Sequence, residues 1–91
     1  MSNSISFIDI GYGNIVSASR IISISPPEPA PIRRLVQDGK EAGAVIDASA
    51  GHKTQSVIMT DSNFIILSSL SPEELLEKLN SKSEDNDSNL N

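Results

Sequence analysis

The side chains best suited to chemistry gather in one short polar stretch. Ala50–Gln55 reads AGHKTQ and holds the only histidine of the chain, His52, beside Lys53, Thr54 and Gln55. The stretch reads either as a plain solvated turn or as a contact surface, since lysine, threonine and glutamine all contact phosphate oxygens and glutamine can also read a base edge. A second candidate is Arg20, the one charge in the apolar, β-rich run Ile15–Ile24. It reads either as a strand residue facing water, paired with Asp9 or Asp47, or as a fixed cation suited to a phosphate. Arg33 and Arg34 form a third candidate. They open a predicted helix, where positive charge opposes the helix dipole by a few tenths of a kcal/mol, so they read either as an ordinary solvated helix surface or as a binding or interface pair that justifies this cost.

Other chemistries find no constellation. His52 stands almost alone as a metal ligand, and Asp47 and Asp61 lie fourteen residues apart at predicted strand ends. No Gly-x-Ser-x-Gly elbow occurs among the serines. Gly11-Tyr12-Gly13 lacks the third glycine and the βαβ spacing of a dinucleotide loop, and so reads as a turn. Cysteine is absent, which removes disulfides and thiolate metal sites. The expectation is a non-enzyme with no catalytic residues, no metal, no cofactor and no small-molecule substrate.

Charge bears on the partner. The formal net charge is -5, which on its face opposes binding to a polyanion. Within residues 1–71, however, the bases Arg20, Arg33, Arg34, Lys40 and Lys53 nearly balance Asp9, Glu28, Asp38, Glu41, Asp47 and Asp61. The rest of the acidity lies in the last helix and tail, so the body can still carry a basic stripe. The opening residues lack the basic and apolar regions of a signal peptide, and no apolar run is long enough for a membrane span. The location expected is cytoplasmic, with no membrane partner.

These side chains need elements to position them. ISFIDI, residues 5–10, predicts a strand. Gly11–Asn14 breaks it, with glycines and an asparagine for the positive φ angles of a tight turn. Residues 15–24 predict a second strand, hence a hairpin. Pro26, Pro27, Pro29 and Pro31 make an extended connector, and Pro31 suits the first turn of a helix. Residues 32–42 predict a short amphipathic helix with Ile32, Leu35, Val36 and Ala42 on one face. Gly39 either weakens it or lets a neighbour approach closely, and Gly43 stops it. Residues 44–49, 56–60 and 64–70 predict three strands in an antiparallel meander. Ser71-Pro72-Glu73-Glu74 announces a second helix through a capping box, with Leu75, Leu76 and Leu79 as its apolar face.

The order is ββαβββα, an α+β single domain with an antiparallel sheet of about five strands and two short helices. The domain is placed at residues 1–80, and the polar, acidic segment 81–91 is expected to be a disordered tail. At 91 residues, with aromatics only 3% of the chain, the core must be built from Ile, Leu and Val and is modest. Such domains are often completed by self-association.

Taken together, the residues resemble the RemA family. The resemblance rests on Ile10-Gly11-Tyr12-Gly13-Asn14-Ile15-Val16-Ser17-Ala18, then Arg20-Ile21-Ile22-Ser23-Ile24, Ala30-Pro31-Ile32 with the basic pair after it, Ile46-Asp47-Ala48, Gly51, Thr54, and the run from Val57 through Asp61-Ser62 to Ile66-Leu67-Ser68. It covers roughly residues 5–72 and leaves the acidic tail outside. It implies a bacterial transcription regulator of biofilm extracellular-matrix genes that binds duplex DNA. In that family the subunits assemble into a homo-oligomeric ring and hold DNA against basic residues repeated around it. Arg20 falls on the family's strand arginine. His52 and Lys53 fall on a pair of turn residues that are usually arginine, and Gln55 also stands where the family tends to have arginine. The implied DNA-binding set is Arg20, His52, Lys53, Thr54 and Gln55, with Arg33 and Arg34. Because lysine and histidine replace always-charged guanidinium forks, weaker DNA binding is expected. The alternative is a structural or protein-interaction ring that has lost DNA affinity.

Overall fold

The computed structural model describes residues 6–90, with side chains through residue 81. The expected first strand is found as β1 (Phe7–Asp9), its first expected residue lying outside the described span. β1 pairs antiparallel with β2 (Ile15–Ser17), with Ile8 opposite Val16, so the predicted hairpin across Gly11–Asn14 forms.

The second predicted strand does not run unbroken. A 3-10 turn, Ala18–Arg20, divides it into β2 and β3 (Ile21–Ser25). The Ser17-Ala18-Ser19 stretch offers no apolar alternation, and the two serine hydroxyls meet each other at 3.1 Å. Short hydroxyl side chains of this kind compete with ladder hydrogen bonds. Arg20 therefore sits in the turn that separates two strands and not within a strand.

The proline connector leads into α1 (Ala30–Glu41), with Pro31 in its first turn, as the sequence predicts. Gly39 is buried, and a Cβ there would stand 2.7 Å from Ile65 Cδ1 and 3.0 Å from Val45 Cγ2. Close approach of helix to sheet is thus the reason for this glycine. The helix stops at Gly43, whose φ of +72° few other residues adopt.

β4 (Val45–Asp47), β5 (Ser56–Thr60) and β6 (Ile65–Ser68) are present, but not as an antiparallel meander. The sheet order is β3-β5-β6-β4, and β4 pairs parallel with β6. The loop from Ala48 to Gln55 carries the chain past the place that β6 later fills. β5 then lies against β3, and β6 returns between β5 and β4. Ile65 N–H donating to Ala44 O at 2.9 Å and Ala48 N–H donating to Leu67 O at 2.9 Å bracket the parallel ladder. The architecture is a mixed four-stranded sheet plus a two-stranded hairpin, in place of one antiparallel sheet of about five strands.

Both faces of the central strands β5 and β6 are covered, which explains why they read as almost continuous apolar runs. Val57, Ile65 and Leu67 point to one face, against Ile32, Leu35 and Val36 of α1. Their chain neighbours Ile58 and Ile66 point to the other, with Ile8 and Ile10 of the hairpin and Leu75 of α2 (Pro72–Leu90). This is the period-two alternation of strand side chains. The predicted capping box opens α2: Glu74 N–H donates to Ser71 Oγ at 3.1 Å, and Ser71 N–H donates to Glu74 Oε1 at 2.8 Å. The backbone of α2 is helical through Leu90. No proline or glycine follows Pro72 to stop it.

Candidate nucleic-acid interface

Two turns, about forty residues apart in the chain, meet at one end of the fold. The first is the hairpin tip. Ile10 N–H donates to Asn14 O at 2.8 Å, and the Asn14 N–H and side-chain amide both donate to Gly11 O, at 3.1 and 2.8 Å. Gly11, Tyr12 and Gly13 all have positive φ, at 118°, 54° and 79°. Glycine adopts these angles freely, while for Tyr12 the left-handed conformation costs roughly 1–2 kcal/mol. Gly11 N–H donates to Asp9 Oδ1 at 2.7 Å, so Asp9 is committed to the turn. The tip is pinned to the larger sheet by the buried Ser68 hydroxyl, which donates to Ile10 O at 2.6 Å.

The second turn is Ser49–Gln55. Asp47 Oδ1 accepts from both the hydroxyl and the N–H of Ser49, at 2.6 and 2.9 Å. The Ser49 hydroxyl, then its N–H, hold the Asp47 carboxyl below the usual carboxylate range, and nearby Lys40 adds to this against a small opposing effect of burial. His52 N–H donates to Ser49 O at 2.9 Å, and Ala50 and Gly51 take φ of 55° and 81°. The turn therefore projects His52 and Lys53 outward, both exposed. Gln55 is exposed too, but its side-chain amide donates to Ser69 O at 2.8 Å.

The turns touch through their rings. Tyr12 and His52 stack with centroids 4.7 Å apart and planes 8° from parallel. Tyr12, His52, Lys53 and Gln55 line one shallow groove of about 470 Å³ together with Glu74. Lys53, Thr54 and Gln55 line a second, of about 350 Å³, with Glu28 and Glu73 on its walls. A third, of about 260 Å³, joins Thr54 to Arg33 and Lys40 of α1.

The predicted residues thus fall into separate places. His52, Lys53, Thr54 and Gln55 form one cluster, and Arg33 reaches its edge. Arg34 is exposed on α1 and lines none of these three grooves. Arg20 lies elsewhere: β3 runs antiparallel to β5 with Ile21 opposite Thr60, so Arg20 is at the far end of β5 from Gln55. The six-residue step from Gln55 to Asp61 is about 20 Å if extended. Neither Asp9 nor Asp47 pairs with Arg20. Its Nη1 stands 3.5 Å from Asp61 Oδ1, with both side chains largely exposed.

Sequence reasoning missed Tyr12 as a member of the site and Asp61 as the partner of Arg20. The only local signal for Tyr12 is an aromatic residue between two glycines, which marks an exposed turn position. Among the described residues, no group of three or more His, Asp or Glu is placed to hold a metal ion, and no helix is long and apolar enough to cross a membrane.

Comparison with known proteins places this arrangement in context. A family model described as RemA-like, extracellular matrix regulatory protein A-like, matches residues 7–79. A protein of Alkaliphilus metalliredigens is 54% identical over 79 residues, covering 87% of this chain and 85% of that protein. One from Natranaerobius thermophilus is 46% identical over 88 residues, covering 97% and 99%. A third, from Clostridium botulinum strain Hall, is 48% identical over 86 residues, covering 94% of each. The first two carry the name "Putative regulatory protein", and the third the same words with a locus label.

Proposed function

This chain belongs to the RemA-like family of regulatory proteins, and from that premise we propose that it is a DNA-binding transcription regulator whose copies form a ring. Duplex DNA lies against basic side chains repeated around that ring, and the protein carries out no catalysis. The observation that carries the reading is the outward presentation of His52 and Lys53 on a turn fixed by Asp47, Ser49 and Gly51. A rigid turn loses little entropy when it meets a phosphate, so a single cation there is used efficiently.

One copy offers few cations, and these stand apart, with Arg20 at one end of β5 and Lys53 at the other. Several linked copies on one DNA convert weak contacts into avidity. Two features support self-association. Phe7, Ile15, Ile22, Ile46, Phe64 and Leu76 are large apolar side chains left exposed on a small domain. In addition, β3 and β4 are the two edges of the larger sheet. Open edges on opposite sides favour head-to-tail contact, which closes into a ring when the rotation per copy divides a full turn.

A second reading has its own observation. Glu28, Glu73 and Glu74 line the grooves beside Lys53, and their charge opposes phosphate. On this reading the ring binds protein and has lost its DNA affinity.

The two separate in a gel-shift series at low salt with the assembly mass measured in parallel. The DNA reading expects a complex with the wild-type protein, weakened by Lys53→Ala or Arg20→Ala at unchanged mass. The protein-interaction reading expects no wild-type complex, with DNA binding gained on restoring charge by His52→Arg with Gln55→Arg. Glu73→Gln with Glu74→Gln also strengthens binding if these acids oppose DNA, since glutamine keeps the capping box.

A further inference from the structure

We infer that Tyr12 is part of the DNA-contacting surface: it holds His52 in place, and the stacked pair lies against the sugar-phosphate backbone as one preassembled unit beside Lys53. The inference rests on the DNA reading above and adds to it a residue outside the basic set.

Tyr12 gains little for the fold where it stands. The residue is exposed, at 59% of its accessible maximum, and its backbone holds φ at +54°. A residue that pays for a left-handed conformation without burial persists where surrounding structure over-determines it, and such residues cluster at binding sites. Here the determinants are visible. Gly11 is fixed by Asp9 and by Asn14, and a Cβ on Gly11 would come within 3.1 Å of Ser69 Oγ. Asn14 also reaches across to Ala48 O, at 3.4 Å, at the start of the second turn. The hairpin tip is therefore placed against the His52 turn, and the ring stack is the contact that results.

The stack has a chemical consequence. A lone histidine on an exposed turn samples many side-chain rotamers. A parallel aromatic neighbour at 4.7 Å favours the stacked rotamer, because aromatic pairs of this geometry are favourable beyond their buried area. The phenol O–H and the imidazole N–H are both donors, and Lys53 adds an ammonium on the same groove. Donors held rigidly beside a cation suit a phosphodiester, where contacts fix position and orientation. Glu74 on the groove wall sets a limit on how deep the phosphate enters.

The chain has a built-in probe, because Tyr12 is its one tyrosine, His52 its one histidine, and tryptophan is absent. Intrinsic tyrosine emission therefore reports this site alone. The experiment titrates the full chain with a short duplex at low salt, following Tyr12 emission and the anisotropy of labelled DNA. Inorganic phosphate and a single-stranded oligonucleotide serve as further ligands. Four proteins are compared: wild type, Tyr12→Asn, Tyr12→Phe and Lys53→Ala. Asparagine tolerates positive φ, so Tyr12→Asn removes the ring while keeping the turn.

The expected result is a saturable emission change with duplex whose midpoint matches the anisotropy curve. Tyr12→Asn weakens duplex binding about three- to tenfold with an unchanged salt slope, since no charge is lost. Lys53→Ala reduces the slope by about 0.9 for each copy that engages the duplex, the value for one phosphate per copy. Tyr12→Phe keeps the ring and binds more tightly than Tyr12→Asn. In the free protein, the His52 ring resonances shift in Tyr12→Asn and stay close to wild type in Tyr12→Phe.

Wild-type affinity in Tyr12→Asn alongside weakened binding in Lys53→Ala overturns the inference and leaves the DNA reading standing. A single strand or phosphate that changes the emission as strongly as duplex also overturns it. Absence of any duplex complex with the wild-type protein removes the DNA reading and the inference with it.

Discussion

The Arg20 guanidinium stands 3.5 Å from the Asp61 carboxylate, and Asp61 N–H donates to Arg20 O at 3.0 Å. The cation proposed for phosphate is thus already next to an anion, across the end of the β3–β5 ladder. An exposed pair of this kind is worth about 0–1 kcal/mol, so it competes with a phosphate without excluding one. Asp61→Asn is expected to raise DNA affinity about two- to fivefold, measured by anisotropy at low salt. Arg20→Ala is expected to abolish that gain in the double variant.

Ser68 joins the sheet to the hairpin tip. Its buried hydroxyl donates to Ile10 O at 2.6 Å and accepts Leu70 N–H at 3.0 Å. Ser68→Ala leaves both backbone groups short of a partner and is expected to cost about 1–3 kcal/mol, read from the denaturant midpoint. Because the tip also carries Tyr12, tyrosine emission should change in the folded variant.

Acid should act on the His52 turn through Asp47. Its carboxyl is held below the usual range mainly by the Ser49 hydroxyl, then the Ser49 N–H. The folded state therefore favours the ionised form. The resulting stabilisation is present above the unfolded-state pKa and is lost as pH falls through the lowered folded value. Ser49→Ala should move the Asp47 titration upward, as followed by carboxyl NMR, and shift acid unfolding to higher pH.

Ile22 and Leu76 are exposed on the walls of one apolar groove between β3 and α2. If copies meet there, a buried carboxylate without a partner is strongly unfavourable. Leu76→Asp is expected to lower the assembly mass in sedimentation while leaving the circular dichroism of the subunit unchanged.

What was legible in the sequence is local. The capping box at Ser71 and Glu74, the hairpin turn at Gly11–Asn14 and the helix stop at Gly43 each depend on neighbours within four residues. Gly39 was readable as either a weak point or a close approach, and only the positions of Ile65 and Val45 decide between them. The order of strands was not legible. Apolar alternation says which way a side chain points but not which strand lies alongside, so β4 beside β6 had no sequence signal. The same holds for the site. His52 and Lys53 stood out by type, while the stack with Tyr12 and the pairing of Arg20 with Asp61 join residues about forty positions apart.

The most direct test of ring-borne DNA binding is the salt dependence of duplex affinity for the wild-type protein. A single copy using Arg20 and Lys53 neutralises about two phosphates and gives a slope of log affinity against log salt near -1.8. The account predicts a clearly steeper slope, because several copies engage one duplex. A slope no steeper than that, or no complex at low salt, contradicts it.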